Sequence, residues 1–301
     1  SSTGKELLLF LNNTQSFQTG DLQQIPVIYN QTERIVELVN QCINISKQEY
    51  DYYETSYDFN RISILNEGLI CNQANSEIER RRRLIEKLVY LENEINNHFY
   101  NVYGFKHESN ENGYNISSLD IEILIKSLLS YTIGVSFGRY SIDVEGLAYA
   151  GGDWNPDLYS TIIPDDNNII PILDDGYYPD DAMNKVIEFL TKVYGKETLD
   201  KNLKFIADAL GGNGTSKEVI RNYLINGFYT NHLKIYQKRP IYWLFDAGKQ
   251  NSFKALIYMH RYTPDLLAKM RTDYILPLMD KYSSRIAYLE KEIPTLTGTL
   301  A

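Results

Sequence analysis

Cysteine, histidine and proline are scarce: two, four and nine in 301 residues. Cys42 and Cys71 lie far apart, with no CxxC pair and no histidine nearby. That excludes a disulfide-built scaffold and a zinc finger. It predicts free thiols, buried or partly buried, in a reducing cytosol, with one disulfide between them as the alternative. His98, His107, His232 and His260 show neither HxxxH nor HExxH spacing, so no metal site is expected. Positive charge is in the minority, 30 Lys plus Arg against 39 Asp plus Glu, for a net charge of −9 and a pI of about 5.1. A surface basic throughout is excluded; a local basic face is not. Long hydrophobic runs are missing too. Residues 7–11 are too short for a membrane span, and the start carries no signal-peptide pattern and no initiator Met. The expectation is a cytoplasmic piece of a longer protein without membrane contact. Its N-x-S/T triplets, such as 44–46 and 213–215, then read as chance matches.

What is present suits a folded chain: 43% hydrophobic and 13% aromatic residues, with 25 tyrosines. The length allows one large domain or two modest ones. Residues 5–29 read as a short helix, a turn at 17–21 and a short strand at 25–28. Asn30 or Thr32 can cap a long helix carrying Ile35, Leu38, Val39, Cys42 and Ile45, broken by the Tyr-rich stretch 50–57. A second long helix is expected over 67–103, antiparallel to the first. Inside it four arginines, 80–83, predict a solvated collar, because successive helical residues point about 100° apart and cannot form one flat patch; phosphate contact is the alternative. Residues 110–115 are a polar linker. A helix over 119–135 presents Leu124, Leu128 and Ile133 on one face. Residues 141–200 are rich in Asp, Gly and Pro and read as ordered loops, before a helix at 182–194 capped by Asp180 or Asp181. Further helices follow at 199–210 and, capped by Ser216, up to about 229. Aromatic and β-branched runs at 240–245 and 253–259 flank a polar turn and predict a β-hairpin. A last helix spans 265–292, with a frayed tail at 295–301. The fold class is therefore mainly α: long helices and helical hairpins with one small β-hairpin.

Charge is distributed unevenly. The middle is acidic, whereas residues 232–291 carry eleven Lys and Arg against few acids. Basic residues beside aromatics are a nucleic-acid signal, with core packing of Tyr242, Trp243 and Phe245 as the competing account. The candidate DNA contacts are Lys238, Arg239, Lys249, Lys254 and Arg261, around the hairpin. No catalytic, cofactor-binding or metal-binding residue is assigned. Paired acids such as Asp143 and Glu145 lack the lysine and strand context of a nuclease, and the Asp-rich loops lack EF-hand spacing.

Two runs, 237–245 and 253–262, resemble the C-terminal signature of adenine-specific DNA methyltransferases of the BREX phage-defence type (PglX-like). So do 137–141, 143–152, 208–212, 271–274 and 54–59. Residues 11–21 with 25–27 are similar to the end of a target-recognition domain. The resemblance implies that 1–29 close that domain, 30–115 form a helical spacer, and 116–301 form a C-terminal helical domain with its hairpin at 240–259. It implies a non-catalytic region that positions double-stranded DNA or braces the upstream methyltransferase and target-recognition domains. The alternative is a platform docking other defence-system proteins without DNA contact. S-adenosylmethionine would serve the full-length parent, not this region. Amino-methyl transfer needs a glycine-rich turn after a strand and an Asn/Asp-Pro-Pro-aromatic loop around the flipped adenine. Here 210–214 follow a predicted helix, and Asn155-Pro156-Asp157-Leu158-Tyr159 lacks the second proline, so it reads as a surface turn.

Overall fold

The computed structural model describes residues 2–12, 14, 16–28, 32–104, 120–248 and 252–296, with the side chains of 2 and 294–296 excepted. The expected linker at 110–115, Asn30, His107, Lys249 and most of the expected frayed tail lie outside the described residues. The chain divides into two units, Ser1–Ser56 with Asn75–Asp120, and Tyr57–Ala74 with Ile121–Ala301. Among the described residues no helix is long and apolar enough to cross a membrane.

The first unit holds α1 (Ser2–Leu11), α2 (Thr19–Gln23), α3 (Glu33–Asp51) and most of α4 (Ile70–Tyr103). Thr32 caps α3, its hydroxyl accepting from the Ile35 N–H at 3.4 Å. Ile45, Leu88 and Leu91 pack with Leu38, Cys42 and Leu84 along the seam between α3 and α4. Arg34 pairs with Glu94 and Glu49 with Arg81, so early α3 meets late α4 and the two helices run antiparallel, as expected.

Two expectations fail in this unit and a third holds only in part. The stretch 25–28 is not a strand: the Tyr103 hydroxyl donates to the Pro26 carbonyl at 2.7 Å and accepts the Ile28 N–H at 3.2 Å, taking the place of a neighbouring strand. Part of the expected turn at 17–21 is α2, whose start is fixed by Asp21 accepting from the Gln18 N–H at 2.9 Å. The arginine run is a solvated collar at three of its four positions. Arg80, Arg82 and Arg83 pair with Glu77 and Glu79 on their own helix, but Arg81 is 1% exposed and turns inward.

In the second unit α5 (Ile121–Ser136) is buried on every side from Leu128 onward, not on one face. The reason is its central place among α6 (Ala182–Tyr194), α7 (Leu199–Leu210) and α9 (Phe228–Ile235). The hydroxyls of Thr132 and Ser136 bond the carbonyls one turn back, satisfying polar atoms that water cannot reach. Asp181 caps α6 by accepting the Asn184 N–H at 2.8 Å. Thr215, not Ser216, caps α8 (Ser216–Asn226), with Glu218 completing a capping box. This helix stops at Gly227 rather than near 229, and α9 begins anew.

The expected hairpin is present as β2 (Tyr242–Asp246) and β3 (Lys254–Tyr258), paired antiparallel with Leu244 opposite Leu256. A third strand, β1 (Ile170–Pro171), lies on the other side of β3. It lies in the segment read as loops, because two residues ending in proline carry no strand periodicity. As the middle strand, β3 is buried along its whole length. The last helix starts as α10 (Leu266–Lys269), widens into a π-helical stretch at Met270–Ile275 and continues as α11 (Leu276–Leu296).

His232, on α9, sits beneath the hairpin. Its Nε2 accepts the N–H groups of Ile241 at 3.1 Å and Tyr242 at 3.3 Å. Burial, with the Arg139 charge nearby, pushes its pKa down to about 4. An unfolded histidine titrates near ~6.5, so the unfolded chain binds the extra proton first as pH falls. The neutral imidazole stabilises fully above about pH 6.5. That contribution, about 3 kcal/mol, is lost progressively as pH drops towards 4. Urea unfolding midpoints measured from pH 7 to 4 check this; His232→Gln is expected to flatten the slope in that window.

Candidate functional site

The loop 149–168 and the segment 260–269 enclose an open cleft of about 610 Å³. Its walls come from residues about a hundred positions apart, brought together by β3. Asn168 locks the loop to that strand, donating to the Tyr258 carbonyl and accepting the Tyr258 N–H, each at 3.0 Å. The Tyr258 hydroxyl donates to the Tyr149 carbonyl at 2.8 Å. Trp154 stands in the wall with its ring stacked on Tyr159 (centroids 4.9 Å apart, planes at 15°) and Tyr149 edge-on at 5.1 Å. Gly138, at φ +77°, makes room for it: a Cβ there would lie 2.5 Å from the indole. The Tyr159 hydroxyl in turn donates to the Gly138 carbonyl at 2.6 Å.

Arg261 is the cation of the cleft. Its guanidinium lies 4.6 Å from the Trp154 ring centroid and donates to the carbonyls of Phe137 (3.1 Å), Asp165 (2.6 Å) and Asp166 (3.3 Å). Burial pushes its pKa below the usual arginine value. His260, Tyr262 and Lys269 line the mouth and are exposed, the Lys269 ammonium standing 2.9 Å from Asp265.

The candidate DNA contacts are not gathered into one patch. Lys238 and Arg239 are exposed side by side in the turn after α9, where Lys238 has a φ of +63°. Lys254 is buried in the middle strand, its ammonium 3.2 Å from the Ile225 carbonyl and 3.4 Å from Asp246, so it braces β2 and α8 rather than facing a phosphate. Arg261 is half-buried in the cleft, and Lys249 lies outside the described residues. Asp143 clamps its own loop through the N–H groups of Ser160 (2.8 Å) and Thr161 (2.9 Å), and Glu145 pairs with Arg61. Asn155 caps a single 3-10 turn, Pro156–Leu158, the surface turn expected there; what sequence reading missed is that this turn, with Trp154 and Tyr149, forms a cleft wall. The nearby Gly151 and Gly152 and a lone tryptophan were its only local signal.

Gly211 and Gly212 follow α7, and Gly214 leads into α8, with positive φ at all three. A helix, not a strand, feeds this turn. It therefore does not fit the strand–turn–helix cradle of an S-adenosylmethionine pocket.

No family model matches the chain. Over 307 residues it is 38% identical to the adenine-specific methyltransferase PglX of Lacticaseibacillus casei (strain Zhang), covering 97% of this chain and 26% of that protein. Over 319 residues it is 35% identical to the adenine-specific methyltransferase BrxX of Escherichia coli O9:H4 (strain HS), covering 95% and 26%. The chain thus spans about a quarter of the length of these relatives, and over nearly all of its own length it is similar to part of the adenine-specific methyltransferases PglX and BrxX.

Proposed function

We propose that this chain is the C-terminal, non-catalytic region of an N6-adenine DNA methyltransferase of phage defence and host DNA modification, where it positions the duplex and braces the catalytic and target-recognition parts. The observation that carries the reading is the match along nearly the whole chain to a quarter of two proteins named adenine-specific methyltransferases. Residues 1–29 close the target-recognition domain and 30–115 act as a spacer in this account. Exposed apolar side chains near the start, Phe10 at 90% and Val27 at 64%, support it, since such surface is normally covered by neighbouring protein. S-adenosylmethionine belongs to the rest of the parent. Lys238 and Arg239 are the exposed cations offered to the DNA backbone, whose contacts fix register without reading sequence. Reversing both, Lys238→Glu with Arg239→Glu, is expected to weaken duplex binding and lower its salt dependence by about one unit of slope for each lost contact. Gel-shift titration at graded salt checks it; an unchanged titration contradicts it.

A second reading, docking of other defence-system subunits without DNA contact, draws on α11. Met279, Ile286, Leu289 and Ile293 lie three or four residues, or one heptad, apart and are all exposed, an apolar stripe along one helix face. Capture of operon-encoded proteins by the chain, lost on Ile286→Glu, supports that reading.

A further inference from the structure

The cleft holds a cation that its own protein only partly satisfies. Arg261 spends its Nη1 hydrogens and one Nη2 hydrogen on backbone carbonyls, and no carboxylate lies within ion-pair distance of it among the described residues. Its Nε edge and the remaining Nη2 hydrogen stay available beside ring surface: Trp154 is 38% exposed and Tyr262 45%. Lys269 adds a second cation at the mouth. Desolvated positive charge beside flat rings, in a space of about 610 Å³, suits a ligand that is itself a flat ring joined to an anion. We propose that the cleft binds one nucleotide unit, its heterocycle against Tyr262 and the exposed edge of Trp154, and its phosphate toward the Arg261 edge and Lys269. Bases stack on aromatic rings and guanidinium planes with little regard to sequence, and a guanidinium edge matches phosphate oxygens. Asp166, on the same wall, gives an acceptor for an exocyclic amino group. A fully stacked duplex cannot present a base to a cleft of this shape, so the natural source is an unpaired nucleotide of DNA. That choice of source rests on the DNA reading above; the site itself does not.

Trp154 reports on the site. With Trp243→Phe, which keeps an aromatic ring beside Tyr262, it is the single tryptophan of the chain, and its emission can be followed during titration with dCMP, with a duplex carrying one unpaired deoxycytidine, and with the same duplex fully paired. The expected result is saturable quenching by the bulged duplex at about tenfold lower concentration than by the paired one, weakened about tenfold again by Tyr262→Ala and by Lys269→Gln. Both residues are exposed, and far-ultraviolet circular dichroism verifies that each variant folds. Equal quenching by dCMP and the bulged duplex supports the site and assigns it to free nucleotides. No saturable quenching by any of the three overturns the proposal, as does quenching that both variants leave unchanged. Duplex binding seen by anisotropy while Trp154 stays silent overturns the cleft and leaves the DNA reading standing.

Discussion

Glu49→Ala is expected to cost the α3–α4 unit about 3–5 kcal/mol. The Arg81 and Glu49 side chains are 2% and 10% exposed and meet at 2.5 Å. The Arg81 guanidinium also lies 4.4 Å from the Tyr52 ring centroid and reaches the Tyr53 hydroxyl at 3.2 Å. Removing the carboxylate strands a desolvated cation that cannot swing back into water. The pair itself is not well satisfied: Arg81 Nε and Nη1 and Glu49 Oε1 make no hydrogen bond. Its net worth against apolar side chains of similar volume is therefore small. Glu49→Leu with Arg81→Met together should recover most of the loss. Chemical denaturation of the single and double variants checks this; a single-variant loss below about 1 kcal/mol contradicts the burial of the charge.

Asp181→Ala should be comparably damaging in the other unit, about 3–5 kcal/mol. Asp181 is 0% exposed and acts twice. It caps α6, and it accepts from Arg221 at 2.5 Å. Arg221 uses the same guanidinium nitrogen to hold the carbonyls of Leu173 (2.8 Å) and Asp175 (3.3 Å), tying the chain just after β1 to α8. Losing the carboxylate removes a helix cap, worth about 1 kcal/mol, and leaves a mostly buried guanidinium on two carbonyls. Asp181→Asn keeps a capping oxygen and loses only the charge, so it should fall between wild type and Asp181→Ala. Equal losses for the two substitutions would mean that the ion pair, not the cap, supplies the stability.

The helices were legible where a cap and a periodic face coincide. Thr32, Asp181 and the Leu199–Leu210 helix running into Gly211 marked ends that the structure keeps. The hairpin was legible in its aromatic and β-branched runs. What escaped depended on distant partners. Arg81 looks like its three neighbours in sequence, and only Glu49, 32 residues away, draws it inward. Lys254 reads as an exposed cation beside aromatics; being on the middle strand with β1 on its other side puts it inside. β1 is two residues long and has no periodicity to detect. The cleft was illegible for the same reason. Tyr149 and His260 are joined by a bond from the Tyr149 hydroxyl to the His260 carbonyl, across 111 positions, and no local spacing encodes that.

Two features pull the functional account in different directions. The acid-rich loops and the net charge of −9 oppose DNA approach in general, whereas the turn at 238–239 and the cleft mouth offer cations locally. Contact confined to a few phosphates beside otherwise repelling surface binds weakly, with a salt dependence of about one unit of slope for each phosphate contacted. That suits a region that steadies a duplex held mainly by the rest of a larger enzyme.

The most direct test is fluorescence anisotropy of a labelled 20-base-pair duplex titrated with this chain between about 20 and 200 mM salt. The account predicts sequence-independent binding at the low end, with log affinity falling linearly against log salt at a slope of about two or more. Absence of binding at the lowest salt, or an affinity indifferent to salt, would contradict it.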